Sequence, residues 1–186
     1  MSVGDVVYAA YARRVARQLK PAGIPRHVGV MLDGNRRWAK ERGGSTAQGH
    51  QAGADNIANL LSWCEEIGVE VVTLWLLSTD NLARPAGELR PLLGIIERAV
   101  TDLADAGRWR IHPVGALDLL PVETAQVLKA AADSTRDVDG MLVNVAVGYG
   151  GRREIADAVR SLLQEHARAG TTIEELAEVL DVEHIA

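Results

Sequence analysis

The chain has a single cysteine, Cys64, among its 186 residues. An internal disulfide and a cysteine-rich metal centre are therefore excluded. No stretch of about 18 or more uncharged apolar residues occurs, so no segment reads as a membrane span. The opening, Met1-Ser-Val-Gly-Asp-Val-Val-Tyr8, lacks a basic patch followed by an apolar run, so no secretory signal is read and a cytoplasmic location is expected. Internal repeats, low-complexity tracts and linkers are absent too. Gly148-x-Gly150 lacks a third glycine at dinucleotide-binding spacing, no Gly-Lys-Ser/Thr loop exists, and no His-x-x-x-His pair suggests zinc. Acidic residues outnumber basic ones, 25 to 20, for a formal charge of −5, which argues against a nucleic-acid partner. What remains is ordinary globular composition, 47% hydrophobic and 24% charged, at a length that suits one domain with at most a small appendage.

Residues 1–24 form an N-terminal unit in this reading. Val3, Val7, Tyr11, Val15 and Leu19 recur every fourth residue, with Arg13, Arg14, Arg17 and Lys20 crowding the second half of a helix over 1–20. Such a helix either docks on the domain or touches an anionic membrane surface transiently, which would make the protein peripheral. Pro21, Gly23 and Pro25 end it. Three apolar runs then read as strands, over 27–32, 69–77 and 141–147, and a shorter one over 110–114 is pushed to a sheet edge by Pro113. Helices are expected over 50–67, stopped by Gly68, and along the stripe Leu89, Leu92, Leu93, Ile96, Val100 and Leu103, starting late or kinking at Pro91. Others follow Pro121, cover 154–167, and begin at the capping box of Thr172 and Glu175. Cys64 falls on the apolar stripe of 50–67 and reads as a small buried thiol. The order predicts an α/β fold: a single Rossmann-like domain with a central, mostly parallel sheet flanked by helices.

In such sheets ligands bind beyond the carboxyl ends of the strands. The three strongest strands end in Asp33-Gly34-Asn35-Arg36-Arg37, in Ser78-Thr79-Asp80-Asn81 with Arg84, and in Gly148-Tyr149-Gly150-Gly151-Arg152-Arg153. A parallel sheet gathers them, and with them five arginines, along one edge. Guanidinium forks bind phosphate bidentately. A carboxylate among them, Asp33, suits Mg²⁺, which takes one or two carboxylates plus phosphate oxygens and water. The residues thus point to a diphosphate or polyphosphate substrate with Mg²⁺.

The run from His27 to Lys40, His-Val-Gly-Val-Met-Leu-Asp-Gly-Asn-Arg-Arg-Trp-Ala-Lys, resembles the first signature of the cis-prenyltransferases, the undecaprenyl diphosphate synthase family. Gly49-His50, Ser78-Thr79-Asp80-Asn81 with Arg84-Pro85, and Asn144-Val-Ala-Val-Gly-Tyr-Gly-Gly-Arg152 match later signatures in order and spacing. The wording Leu-Leu-Ser-Thr-Asp-Asn is similar to short-chain actinobacterial members that make Z,E-farnesyl diphosphate.

The resemblance implies that residues 25–186 are a catalytic domain condensing an allylic diphosphate with isopentenyl diphosphate, with a new cis double bond and release of diphosphate. It implies Asp33, Asn35 and Asn81 as catalytic residues, with Asp33 the Mg²⁺ ligand. Gly34, Arg36, Arg37, Trp38, His50, Ser78, Asp80 and Arg84 are implied to bind substrate, and Leu76, Leu77 and Leu93 to line the product channel. Leucine at 76, where long-chain members commonly carry alanine, is expected to keep the product short. Thr46 stands where many members have an arginine, a contact expected to be either weaker here or supplied by Arg36. The family's last signatures, with a glutamate metal ligand, further arginines and a strand, are expected beyond Ala186, so the domain reads as lacking its C-terminal part. A homodimer is also implied. Two alternatives stay open: a medium- or long-chain synthase making a lipid carrier, and a non-catalytic phosphate-binding partner with this fold.

Overall fold

The computed structural model describes residues 3–18 and 23–179. Its elements in chain order are α1 (Val3–Ala16), β1 (His27–Met31), α2 (Asn35–Glu41), α3 (Thr46–Asp55), α4 (Ile57–Ile67), β2 (Val71–Ser78), α5 (Ala86–Asp105), β3 (Arg110–Val114), α6 (Val122–Ser134), β4 (Leu142–Tyr149), α7 (Gly151–Ala169) and α8 (Ile173–Val179). The four strands form one parallel sheet in the order β1-β2-β4-β3. Pro113 does lie on an edge strand, where its missing N–H costs no ladder bond on the open side.

Side chains alternate across the pleat, and the two faces differ. Val72 and Leu74 of β2, Val143, Val145 and Val147 of β4 and Ile111 of β3 pack against Ile57, Leu61 and Cys64 of α4, the α5 stripe from Leu92 to Leu103, and Leu128 and Ala131 of α6. Each fully buried leucine or valine in this layer stabilises the fold by about 1.5–3 kcal/mol. Cys64 lies within it, and burial pushes its thiol above the usual range, away from thiolate chemistry. The other face carries a polar row: Thr73 Oγ1 lies 2.8 Å from His27 Nε2 and accepts from Asn144 Nδ2 at 3.1 Å.

Several elements differ from the sequence expectation. The helix read over 50–67 is two, α3 and α4, meeting at Asn56. A capping box starts α3 early: Ser45 Oγ accepts from the Gln48 N–H while Gln48 Oε1 accepts from the Ser45 N–H. The loop read over 33–37 runs from Asn35 into the helix α2. α5 starts before Pro91 at Ala86, leaving the proline inside it and the Gly87 carbonyl without its helical donor. The N-terminal helix ends at Ala16, with Val6, Val7, Tyr8 and Tyr11 exposed; its expected continuation through Leu19 and Lys20 lies outside the described residues. Among the described residues, no helix is long and apolar enough to cross a membrane.

Candidate active site

β1 delivers Asp33 to the carboxyl edge of the sheet. Gly34 follows with φ 87, a left-handed turn that glycine adopts without strain, and α2 starts at the next residue. Asp33 Oδ1 accepts from the Gly34 N–H at 2.6 Å, and Oδ2 lies 3.7 Å from the Arg37 guanidinium, both side chains being largely exposed. Asn35 Nδ2 donates to the Leu32 carbonyl at 3.2 Å, which fixes the amide beside the loop. Two α3 glycines allow this arrangement. A Cβ on Gly49 would lie 2.2 Å from the Asn35 carbonyl oxygen, and one on Gly53 would lie 2.6 Å from Asn35 Oδ1. Close approach of α3 then brings the next residue, His50, to the same cleft.

β2 reaches the edge through a bulge. Trp75 pairs with Ala146, Leu77 with Val147 and Ser78 with Tyr149, so Leu76 has no opposite number. A bulge re-aims a side chain, and here Leu76 lines the cleft while Leu77 is fully buried in the core. Beyond the strand, Ser78 Oγ accepts from the Asn81 N–H at 3.3 Å. Asn81 Oδ1 accepts from Arg84 Nε at 3.1 Å and Nη2 at 2.9 Å. Arg84 Nη1 donates to Glu88 Oε1 at 2.9 Å, and Arg36 Nη1 lies 3.7 Å from the same oxygen. Glu88, which sequence reasoning missed, therefore ties two arginines from different elements into one frame.

These loops border a cleft of about 780 Å³. Its polar end is Asp33, Gly34, Asn35, Arg36, Arg37, His50, Ser78, Asp80, Asn81 and Arg84. Its apolar wall is Leu32, Ala54, Ile57, Leu76, Leu92, Ile95, Ile96 and Ala99, with Met31 and Trp75 beside the strand ends. Leu93 and Leu77, assigned to a channel by resemblance, lie in the core instead of on this wall. Ile95 and Ala99 were missed, although the α5 spacing from Leu92 carries them. Trp38 borders a neighbouring cleft of about 820 Å³ that shares the loop from Leu32 to Asn35, with the Arg42 guanidinium 4.5 Å over its ring.

The third loop meets the same sheet edge but does not line the cleft. Thr79 N–H donates to the Tyr149 carbonyl at 3.0 Å, and Gly150 packs so closely on Thr79 that a Cβ would lie 2.4 Å from its hydroxyl. Arg153 faces Asp118 and Asp157, at 3.6 and 3.3 Å. The loop thus braces the second one, and the five arginines gathered on paper reduce to three at the cleft: Arg36, Arg37 and Arg84.

Burial, then Arg84 and Arg36, holds the His50 imidazole below its ordinary pKa, while Glu88 pulls the other way. His50 Nε2 is buried without a hydrogen-bond partner among the described residues, as expected of a group whose partner is a ligand. No group of three or more His, Cys, Asp or Glu that could cage a metal exists among the described residues. Two exposed carboxylates, Asp33 and Asp80, beside three guanidinium groups and opening onto an apolar trough suit a molecule with an anionic head and a hydrocarbon tail.

Known proteins resemble this chain in sequence and fold. The family described as "Putative undecaprenyl diphosphate synthase" matches residues 31–186. Isoprenyl transferase 1 of Streptomyces avermitilis is 59% identical over 94% of this chain and 68% of its own length. The (2Z,6E)-farnesyl diphosphate synthase of Thermobifida fusca is 64% identical over 89% of this chain and 65% of its own. The chain thus spans about two thirds of the length of these curated relatives. Among solved structures, lavandulyl diphosphate synthase from Lavandula x intermedia, crystallised with dimethylallyl diphosphate, superposes with a TM-score of 0.78 at 28% identity, over 87% of this chain and 69% of that one. With the matched signatures on the two loops that border the cleft, the chain belongs to the cis-prenyltransferase family.

Proposed function

We propose that the protein condenses isopentenyl diphosphate with a short allylic diphosphate, geranyl diphosphate or one of similar size, to give a short Z-prenyl diphosphate such as Z,E-farnesyl diphosphate. The observation that carries this reading is the cleft itself, which joins an arginine-rich end to an apolar wall. The names of relatives at 59% and 64% identity support the product class, and the dimethylallyl diphosphate of the lavender structure supports the head group.

Arg36, Arg37 and Arg84 hold the diphosphate. Their positions are set before substrate arrives, two of them by Glu88, so little reorganisation opposes charge building on the leaving group. Asp33 fits a single-carboxylate Mg²⁺ ligand: it is exposed, adjacent to the anion site, and leaves most coordination positions to phosphate oxygens and water. Bound there, the metal would neutralise charge on the departing diphosphate. His50, neutral because its pKa is depressed, supplies an uncommitted imidazole nitrogen to the head group. Asn35 is held by the Leu32 carbonyl at the junction of both clefts and positions the second substrate for proton loss. The tail lies along Ile57, Leu92, Ile96 and Ala99, and Leu76, turned inward by the bulge, limits its length.

The test is incubation of the full-length gene product with labelled isopentenyl diphosphate, Mg²⁺ and geranyl or farnesyl diphosphate, followed by lipid extraction. Label in a product one unit longer than the starter supports the proposal. No elongated lipid, with pyrophosphate still bound, would favour a non-catalytic binder.

A further inference from the structure

Prenyl transfer separates charge in a way that the residues above serve only in part. The allylic C1–O bond breaks and both its electrons leave with the diphosphate. The allyl skeleton is then positive until the double bond of isopentenyl diphosphate supplies the pair for the new C–C bond and a C2 proton departs. Arginines and a metal stabilise the anion; they repel the cation. Something in the cleft must tolerate positive carbon without capturing it, which excludes a nucleophile and favours the face of an aromatic ring.

Trp75 is the tryptophan that lines this cleft. It is 37% exposed. The sheet register pairs it with Met31, two residues before Asp33. Its ring meets Tyr149 edge-to-face, centroids 5.3 Å apart and planes at 83°, which fixes the indole while leaving at least one face unstacked. The Glu154 carboxylate beside Tyr149 makes its phenol harder to ionise than usual. The other indoles are spent or misplaced. Arg42 covers Trp38 and Arg108 covers Trp109, at 4.5 and 4.6 Å, while Trp63 is on α4 away from the cleft. No arginine or lysine covers the Trp75 face among the described residues.

We propose that Trp75 stabilises the allylic cation, presenting its indole face to the positive carbon while Arg36, Arg37 and Arg84 retain the diphosphate. This rests on reading the cleft as a prenyl-transfer site. Tyr149 is a positioning residue in this scheme, acting through the indole.

Binding calorimetry with two probes tests it: geranyl trimethylammonium, which mimics the cation, and its neutral carbon isostere, each with inorganic pyrophosphate present. The native chain should prefer the ammonium at least tenfold. Trp75→Phe should keep part of that preference and Trp75→Leu should lose it, with affinity for pyrophosphate alone within twofold of native. Should the leucine variant fold poorly, site-specific replacement of Trp75 by mono-, di- and trifluorotryptophan keeps the shape and weakens the π face stepwise. The preference should then fall stepwise. An undiminished preference in Trp75→Leu, or a flat fluorine series, overturns the proposal while leaving the prenyl-transfer reading intact. No pyrophosphate binding by the native chain would overturn both.

Discussion

Asp33 and His50 line the same cleft, the first largely exposed and the second half-buried. Asp33 is exposed and makes one backbone hydrogen bond and a long contact with Arg37, so its removal touches little packing. Asp33→Ala should therefore shift folding stability by no more than about 0.5 kcal/mol, while lowering turnover by at least about 10²-fold; parallel urea melts and product assays check this. His50 behaves differently. Its folded-state pKa lies below the ordinary value of 6.5, so the unfolded chain takes up the proton first as pH falls. Stability from this group is full above about pH 7. It declines as pH drops through 6.5 and levels off below the depressed folded value. In urea melts between pH 8 and 5, the native protein should lose stability relative to His50→Gln on acidification; parallel curves would contradict the linkage. Leu76 belongs at this scale too, because a single branched side chain occupies the bulge position. Leu76→Ala should lengthen the product by one or more isoprene units on chromatography, and no lengthening would remove it as the limit.

At the scale of elements, the site depends on how closely α3 lies against α2. Gly49 has no room for a methyl group beside the Asn35 carbonyl. Gly49→Ala should spread the two helices at a cost of about 1–3 kcal/mol and displace Asn35, seen as a lower denaturation midpoint with impaired turnover; an unchanged midpoint would contradict the close-packing account. The elements also explain what could be read before the fold was known. The runs 27–32, 69–77 and 141–147 are apolar enough to be strands of a parallel sheet whatever surrounds them, and that alone brings Asp33 and Ser78 to one edge. The α2 helix escaped notice because Gly34 and the paired arginines look like a solvated turn. The α3–α4 break at Asn56 was hidden by an apolar pattern that carries on across it. Which of Leu76 and Leu77 faces the cleft depends on a bulge that simple alternation does not encode. Glu88 sits in the first turn of α5, and nothing in its neighbours along the chain marks it as the partner of Arg36.

Across the whole molecule, the formal charge of −5 conceals a cleft where three arginines gather. Arg153 is turned away to Asp118 and Asp157, and the acidic excess lies outside the cleft mouth, where Asp33 and Asp80 are the carboxylates on the lining. A diphosphate is thus met by clustered guanidinium groups on a protein whose net charge would otherwise repel it, and the apolar wall behind decides what kind of diphosphate stays. The central claim, that one cleft holds the head and growing tail of a prenyl chain while a Z double bond is made, is tested most directly by the product. The full-length gene product is supplied with geranyl diphosphate, isopentenyl diphosphate and Mg²⁺, and the product is dephosphorylated and its new double bond assigned by NMR. The account predicts a fifteen-carbon alcohol whose added unit is Z; an E double bond, or recovery of unextended geraniol alone, would contradict it.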